Sequence, residues 1–165
     1  MINRNPRKGH GWYLNLLTWK QYSIDWGDWH PFPVTMATNN VVALHTSLKG
    51  LLKEGIENRL DRYKALALHL RAGLRKIGMT PFTPDERMAP VLTAAYGPPH
   101  VPTSRIVDYL FQTHNIKIAG GLGELKDKVF RIGHMSPQLK ESDIDEVLEA
   151  LSEYESPDQE EINET

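Results

Sequence analysis

Residues 116–135 read IKIAGGLGELKDKVFRIGHM, and the rest of the predicted fold is arranged around them. β-forming residues stand at both ends with glycines and charges between them, which is typical of two strands joined by a turn. Alternation along the second strand gives it two faces, one with Phe130, Ile132 and His134 and the other with Val129, Arg131, Gly133 and Met135. Arg131 is therefore an always-charged group among apolar neighbours, and it needs an anionic partner. Two interpretations are open: a structural ion pair with Asp or Glu, or a fork that receives the carboxylate of a small ligand.

Composition and charge argue against several classes of protein. The 165 residues include no cysteine, so no disulfide framework, thiol nucleophile or cysteine-based zinc site is expected. No window approaches the roughly 18 apolar residues of a membrane span, and the N-terminus lacks the apolar core of a signal peptide. A cytoplasmic protein is therefore expected.

The two signs of charge are unevenly distributed along the chain. All 19 Lys and Arg lie at or before Lys140, whereas 11 of the 21 acidic residues lie after it. The basic residues are spread over helix faces, and neither an aromatic-interleaved basic stripe nor a nucleic-acid reader motif is present. This pattern indicates a solvated surface with an acidic tail and no nucleic-acid partner.

Apolar spacing predicts the elements of a small α+β domain, with helices packed on a largely antiparallel sheet. A short helix is predicted from Leu16 with Asn15 as its N-cap. Further helices are predicted from Asn39 or Asn40, from Ile56 to a C′ glycine at Gly78, after a cap at Thr103 or Ser104, and from Ser142. A buried strand is predicted over residues 91–96. In the helix from Ile56, six basic residues are assigned to its solvated sides: Arg59, Arg62, Lys64, Arg71, Arg75 and Lys76.

All four tryptophans fall between positions 12 and 29, in a segment too short to enclose them. Such a segment either docks against another surface or packs as an aromatic cluster on the rest of the chain. The two prolines of the following loop, Pro31 and Pro33, exclude a helix there.

No catalytic set is apparent from the residues alone. The seven histidines form none of the close pairs typical of metal ligands, so no metal site is predicted. The run Gly120-Gly-Leu-Gly123 lacks the third glycine and the apolar helix start of a dinucleotide loop. It is interpreted as a turn that brings backbone close to a partner.

Several motifs in order resemble the C-terminal part of class V (fold-type I) pyridoxal-phosphate aminotransferases, in the alanine–glyoxylate and serine–pyruvate branch. These motifs are WHPFPVT with ATNNVVALHTSL downstream, GGLG, LKDKVFRIGHM and SDIDEVLEAL. The resemblance extends from about Gly11 to Tyr154 and implies the small domain of such an enzyme. It divides the chain into residues 1–37, a remnant of the large-domain end with an aromatic loop, and residues 38–155, the small domain. The composition of residues 156–165, acidic and poor in apolar residues, separately predicts an acidic disordered tail.

The resemblance also implies roles for two residues. The arginine of the family's V-x-R-I-G strand binds the substrate α-carboxylate, and this role falls on Arg131. A threonine on the loop before the small-domain helices contacts the cofactor phosphate of the neighbouring subunit, and Thr35 is the matching position. Many relatives have a tyrosine three residues earlier, where this chain has Phe32, so one phosphate hydrogen bond would be missing.

The lysine that holds the cofactor as a Schiff base has no counterpart in this chain. The chain is therefore expected to be inactive alone and to bind pyridoxal 5′-phosphate only in a complete or complemented enzyme. Its expected partners are a large-domain polypeptide or a second copy in a dimer, together with a small amino acid or 2-oxo acid. The alternative is a non-catalytic module that binds a small carboxylate or another protein.

Overall fold

The computed structural model describes residues 11–154, which form two compact units that meet in sequence between Gly50 and Leu51. In the first unit, α1 is Leu16–Asp25, and its first turn is capped by the Asn15 side chain, which accepts a hydrogen bond from Leu17 N at 3.1 Å. This confirms the predicted cap. The helix α2, Thr38–Glu54, begins in the first unit and ends in the second.

The second unit contains the other elements. Its helices are α3 (Ile56–Lys76), α4 (Thr103–His114) and α5 (Glu141–Ser152). Its strands are β1 (Thr80–Pro81), β2 (Leu92–Tyr96), β3 (Ala119–Gly120) and β4 (Val129–Gly133). The four strands form an antiparallel sheet in the order β1-β2-β4-β3. This is the α+β architecture that the sequence predicts.

The core lies on one face of this sheet. Phe130, Ile132 and His134 are all buried, as alternation along β4 predicts. Phe130 and Ile132 belong to a cluster to which α3, α4 and α5 contribute, with Leu66, Leu70, Leu74, Ile106, Leu110, Ile144, Ala150 and Leu151. On the opposite face Gly133 is exposed, and so are Leu92 and Tyr96 of β2. The sheet therefore has one packed face and one face that is open except at Val129, which is buried, and Arg131 belongs to this second face.

Several element boundaries differ from the predictions, by one residue at the starts of α2 (Thr38) and β2 (Leu92) and by more elsewhere. The first strand of residues 116–135 is Ala119–Gly120, because Ile116 N continues the end of α4 by donating to Leu110 O, and Ile116 and Ile118 pack on the core. Neither Thr103 nor Ser104 caps α4, because the helix begins at Thr103 without a side-chain cap and the Thr103 hydroxyl donates to Val129 O at 2.9 Å. The last helix begins at Glu141, where Lys140 N donates to Asp143 Oδ2 at 2.8 Å.

One predicted surface residue is buried. Arg71 was assigned to the solvated side of α3, yet its side chain is only 1% exposed. Its Nε donates to Asp85 Oδ1 at 2.6 Å, and its Nη2 donates to Thr83 O. The connection after β1 folds back over α3 and covers this arginine, which the periodicity of α3 alone does not reveal.

The domain boundaries after residues 37 and 155 stay predictions, because compact units within one chain do not test boundaries defined by a family. The acidic tail, residues 156–165, lies outside the described residues. Among residues 11–154, no helix is long and apolar enough to span a membrane.

We expect the stability of the fold to decrease between pH 7 and pH 5 because of His134. Its ring is buried, its Nε2 shares a 3.0 Å hydrogen bond with Thr93 Oγ1, and burial lowers the pKa of His134, with the charge of Arg71 acting in the same direction. The neutral ring is therefore favoured in the folded state. The stability it provides is complete above the unfolded pKa of about 6.5 and is lost as the pH falls towards the lower folded pKa, by at most about 1.4 kcal/mol per pH unit.

Urea unfolding at several pH values measures this loss. His134→Gln, which can hydrogen-bond without titrating in this range, is expected to unfold with a weaker pH dependence than the wild type. His45→Gln, in exposed α2, is the matched control and should follow the wild type. Equal pH slopes for His134→Gln and the wild type would contradict the assignment.

Candidate functional site

Arg131 lies at the centre of β4, on the open face of the sheet. It is paired in register with Ala94 of β2 on one side and Ala119 of β3 on the other. Cross-strand partners share a face, so both neighbours of the arginine are methyl groups. The side chain is partly buried, and its Nε donates to Gly120 O at 2.8 Å. The Arg131 guanidinium thus lies over a shallow part of the sheet, because its neighbours at positions 94 and 119 have no large side chains.

No Asp or Glu pairs with Arg131 within residues 11–154. The carbonyl of Gly120 is its one polar partner in this part of the chain, so Nη1 and Nη2 have none there. The fully buried guanidinium of Arg71, in contrast, has a carboxylate partner in Asp85. Among the described residues, Arg131 therefore forms no structural ion pair, and the role of its guanidinium as a carboxylate-binding fork stays a prediction.

The glycine-rich turn lies directly beside Arg131. Gly121 N donates to Val129 O at 2.7 Å, and the chain then forms a single 3₁₀ turn over Gly123–Leu125. Gly123 has φ +56°, a conformation that suits glycine. The predicted role of this run, backbone brought close to a partner, fits the contact of Gly120 O with Arg131.

Thr35 lies in the first unit, in the loop between α1 and α2, and its side chain is exposed. It lines a cavity of about 270 Å³ whose walls are mostly apolar: Tyr13, Trp19, Val34, Thr35, Met36, Ala37, Asn40, Val41 and Leu44. Phe32, three residues earlier, is 41% exposed. Thr35 therefore belongs to the first unit and Arg131 to the second.

The Thr35 cavity fits a phosphate group only in part. Thr35 and Asn40 offer neutral hydrogen-bond donors, but the residues that line the cavity include no Lys or Arg. A phosphate dianion is usually held by several donors or by positive charge. This loop can therefore contribute to a phosphate site, and the remaining donors would have to come from elsewhere.

One group of side chains in the described part of the chain could approach a metal ion. The ligand atoms of His69 on α3 and of Glu141 and Asp145 on α5 all lie within 4.8 Å of one another. His69 Nε2 and Asp145 Oδ1 are already 2.6 Å apart, and all three residues are at least partly exposed. Because a surface His–Asp pair satisfies these groups without an ion, we assign no metal here, and the expected absence of a metal site stays a prediction.

Comparison with known proteins agrees with this architecture. No protein-family model matches the sequence. An uncharacterized aminotransferase of Methanocaldococcus jannaschii is 38% identical over 135 residues, which cover 82% of this chain and 34% of that protein. The alanine–glyoxylate aminotransferase of Rattus norvegicus is 34% identical over 120 residues, covering 72% of this chain and 29% of the rat protein.

A solved structure matches as well. The crystal structure of the alanine–glyoxylate aminotransferase of a Nostoc species superposes with a TM-score of 0.77 at 30% identity, covering 90% of this chain and 39% of the Nostoc chain. The helices α3, α4 and α5 and the antiparallel sheet therefore have the fold of a small domain in pyridoxal-phosphate aminotransferases.

The sequence similarity indicates which kind of pyridoxal-phosphate aminotransferase the chain resembles. The chain matches part of a class V pyridoxal-phosphate aminotransferase of the alanine–glyoxylate type, as its sequence motifs predict. It spans about a third of the length of the curated relatives it matches.

Sequence analysis missed the groups that surround Arg131. The Gly120 carbonyl is a backbone atom, and Ala94 and Ala119 become neighbours only through strand pairing. The signal available was the glycine run before the Arg131 strand, which indicates a close backbone approach but does not identify what is approached.

Proposed function

We propose that this chain supplies the carboxylate-binding part of a pyridoxal-phosphate-dependent aminotransferase site. Arg131 would bind the α-carboxylate of a small amino acid such as alanine or serine, and of a 2-oxo acid such as glyoxylate or pyruvate. The observation that carries the proposal is that the Arg131 guanidinium has no carboxylate partner in residues 11–154 and is flanked by two alanines. The similarity to aminotransferases supports the same role.

The chemistry of Arg131 suits this task. Its planar guanidinium offers paired N–H donors that match the two oxygens of a carboxylate, and it stays charged at every physiological pH. A carboxylate fixed in this way has a defined position, which lowers the entropic cost of reaction at the neighbouring carbon. Arg131 therefore binds and orients the acid and takes no part in proton transfer.

The rest of the active site would lie on another polypeptide. Pyridoxal 5′-phosphate, when bound, supplies the electron sink for amino-group transfer. In our proposal Thr35 donates one hydrogen bond to its phosphate, and a large-domain polypeptide supplies the cofactor-bearing lysine and the remaining phosphate donors. This chain alone is then expected to show no transaminase turnover.

A chimera tests this function. The segment of the Nostoc alanine–glyoxylate aminotransferase that matches this chain is replaced by residues 11–154, and turnover of alanine with glyoxylate is measured. The proposal expects turnover by the chimera and none by this chain alone. Turnover by this chain alone, or a soluble cofactor-loaded chimera that is inactive with every small amino donor, would contradict it.

The exposed apolar side chains of the first unit support a partner at this end of the chain. Neither α1 nor α2 contains a buried residue among those described, and in the first unit Trp29 is 75% exposed and Leu14 is 69% exposed. The aromatic rings contact one another, as in the 5.9 Å stacked pair of Trp26 and Trp29, without being enclosed. In the second candidate function, these side chains dock another protein and Arg131 holds a small carboxylate without catalysis. A chimera with normal turnover would eliminate that alternative.

Replacing Thr35 and Phe32 in the chimera is expected to change cofactor affinity in opposite directions. Thr35→Val keeps the shape of the side chain but removes the hydroxyl, so we expect pyridoxal 5′-phosphate to bind several-fold more weakly, since one hydrogen bond is worth about 0.5–1.5 kcal/mol. Phe32→Tyr adds the hydroxyl that many relatives have and should strengthen binding by a similar factor.

Absorbance titration of the apo-chimera with pyridoxal 5′-phosphate measures both effects. Thr38→Val, at the start of α2 and not among the residues lining the Thr35 cavity, is the control for loss of a nearby hydroxyl. If Thr35→Val and Thr38→Val bind the cofactor equally well, Thr35 has no role at the phosphate.

A further inference from the structure

We propose that Gly121 is a positioning residue for Arg131. Through the carbonyl of Gly120 it holds the guanidinium so that a carboxylate is received end-on, by Nη1 and Nη2. The inference rests on the proposed role of Arg131 as a carboxylate-binding residue and adds the geometry of binding and the residue that enforces it.

The peptide unit between Gly120 and Gly121 is fixed at both of its polar ends. Its carbonyl oxygen accepts a 2.8 Å hydrogen bond from Arg131 Nε, and its N–H donates a 2.7 Å hydrogen bond to Val129 O. Val129 and Arg131 are two residues apart on β4. This peptide unit is thus hydrogen-bonded both to the backbone of β4 at Val129 and to the side chain of Arg131 on the same strand. The position of the peptide therefore determines the position of the guanidinium.

Only glycine fits at position 121. A Cβ built there would overlap Leu125 O and would lie 3.0 Å from Val129 Cγ2. Leu125 O is a backbone atom of the 3₁₀ turn and cannot rotate away as a side chain can. A methyl group at position 121 must therefore displace either the turn or the peptide that holds Arg131. Position 120 differs, because a Cβ there would meet no atom within 4 Å.

The bond to Gly120 O determines which edge of the guanidinium is available. A carboxylate can meet an arginine side-on, through Nε and one Nη, or end-on, through both Nη atoms. Nε is already donating to Gly120 O, so side-on binding would require that hydrogen bond to break. End-on binding requires no change, and Ala94 and Ala119 place only methyl groups on either side.

NMR of the full 165-residue chain, labelled with ¹⁵N, tests the inference, with sodium acetate as the carboxylate probe and sodium chloride at equal ionic strength as the reference. The Arg131 side-chain resonances are those lost in Arg131→Lys. In the wild type, acetate is expected to shift the Arg131 Nη resonances and leave Nε–H in place.

Gly121→Ala and Gly120→Ala form a matched pair of variants. In Gly121→Ala, hydrogen exchange of Arg131 Nε–H should accelerate at least about tenfold and acetate affinity should fall by a similar factor, as expected for a lost hydrogen bond to a charged group. Gly120→Ala should match the wild type in both measurements. Hydrogen exchange of the backbone amides of β4 in the same variants separates positioning from general stability, because a global loss of stability would accelerate exchange at those amides as much as at Arg131 Nε–H.

Two results would overturn the inference. One is a folded Gly121→Ala variant with unchanged Nε–H exchange, and the other is an acetate titration of the wild type in which Nε–H moves most. If Gly121→Ala does not fold, the wild-type titration decides alone. If acetate shifts no Arg131 resonance, the proposed role of Arg131 in carboxylate binding is wrong. In that case the Nε–H exchange rates of the glycine variants still test whether Gly121 positions Arg131.

Discussion

Arg131→Gln is expected to abolish most of the carboxylate affinity of this chain while leaving its fold intact. Glutamine keeps a polar group but is shorter than arginine, and it loses the charge and the paired donors. Loss of one member of a desolvated, hydrogen-bonded charge pair costs about 2–5 kcal/mol, which corresponds to a roughly thirtyfold to several-thousandfold weaker interaction. We expect kcat/KM of the chimera for alanine and glyoxylate to fall within that range.

Stability should change little, because the native guanidinium bonds only to Gly120 O among the described residues. Acetate titration by NMR and chimera kinetics measure the binding loss, and urea unfolding measures the stability.

Two further variants separate charge from geometry. Arg87→Gln, in the exposed 3₁₀ turn Asp85–Arg87, removes one positive charge elsewhere and should leave acetate binding unchanged. Arg131→Lys keeps the charge but loses the planar fork, and it should recover only a minor part of the affinity. If Arg131→Gln and Arg87→Gln lower acetate affinity equally, the effect is one of net charge and Arg131 is not the binding residue.

Arg131 could be singled out from sequence because its signal is local. Alternation along five residues of β4 is enough to place an arginine between Val129 and Gly133 on one face. Local patterns also predicted the extent of α3 and a C′ glycine at Gly78, which has φ +80° just after the helix. The family motifs extended this information to the class of fold.

The surroundings of Arg131 could not be predicted in the same way. Ala94 is 37 positions away from Arg131 in sequence and becomes its neighbour only through the register of β2 with β4. Whether an arginine on a helix is solvated or covered is also a tertiary property, as Arg71 shows. Periodicity places Arg71 beside Leu70 at the edge of the apolar stripe, and only the return of the chain after β1 decides that Asp85 covers it.

Asp85→Ala is expected to be the most destabilising single substitution among the ion pairs of the described residues. The guanidinium of Arg71 is almost fully buried, and Asp85 is its one carboxylate partner there, at 2.6 Å. Removing Asp85 leaves a buried charge with only the carbonyl of Thr83 as a hydrogen-bond acceptor. Breaking a buried ion pair on one side costs about 3–5 kcal/mol because the remaining charge is desolvated, and since Asp85 is itself 35% exposed we expect a cost at the lower end of that range.

Urea unfolding at pH 7 measures the cost of Asp85→Ala, and Arg75→Ala is its matched control. Arg75 also contacts Asp85 Oδ1 at 2.6 Å, but its side chain is 45% exposed, so its removal should cost no more than about 1 kcal/mol. The double variant Arg71→Met/Asp85→Ala removes both charges and is expected to be more stable than Asp85→Ala alone.

The pH dependence provides an independent test of the same pair. Hydrogen bonds from Arg75 and Arg71 lower the pKa of Asp85 below its usual value. The stability that the carboxylate provides is therefore complete above the unfolded pKa of about 4 and is lost as the pH falls through the lower folded pKa. The wild type should lose this part of its stability in strong acid, whereas Asp85→Ala has already lost it at pH 7. Two results would contradict this role of Asp85. One is an equal loss of stability by both proteins between pH 5 and pH 2, and the other is a cost of Asp85→Ala no larger than that of Arg75→Ala. Either result would mean that solvent, and not Asp85, compensates the charge of Arg71.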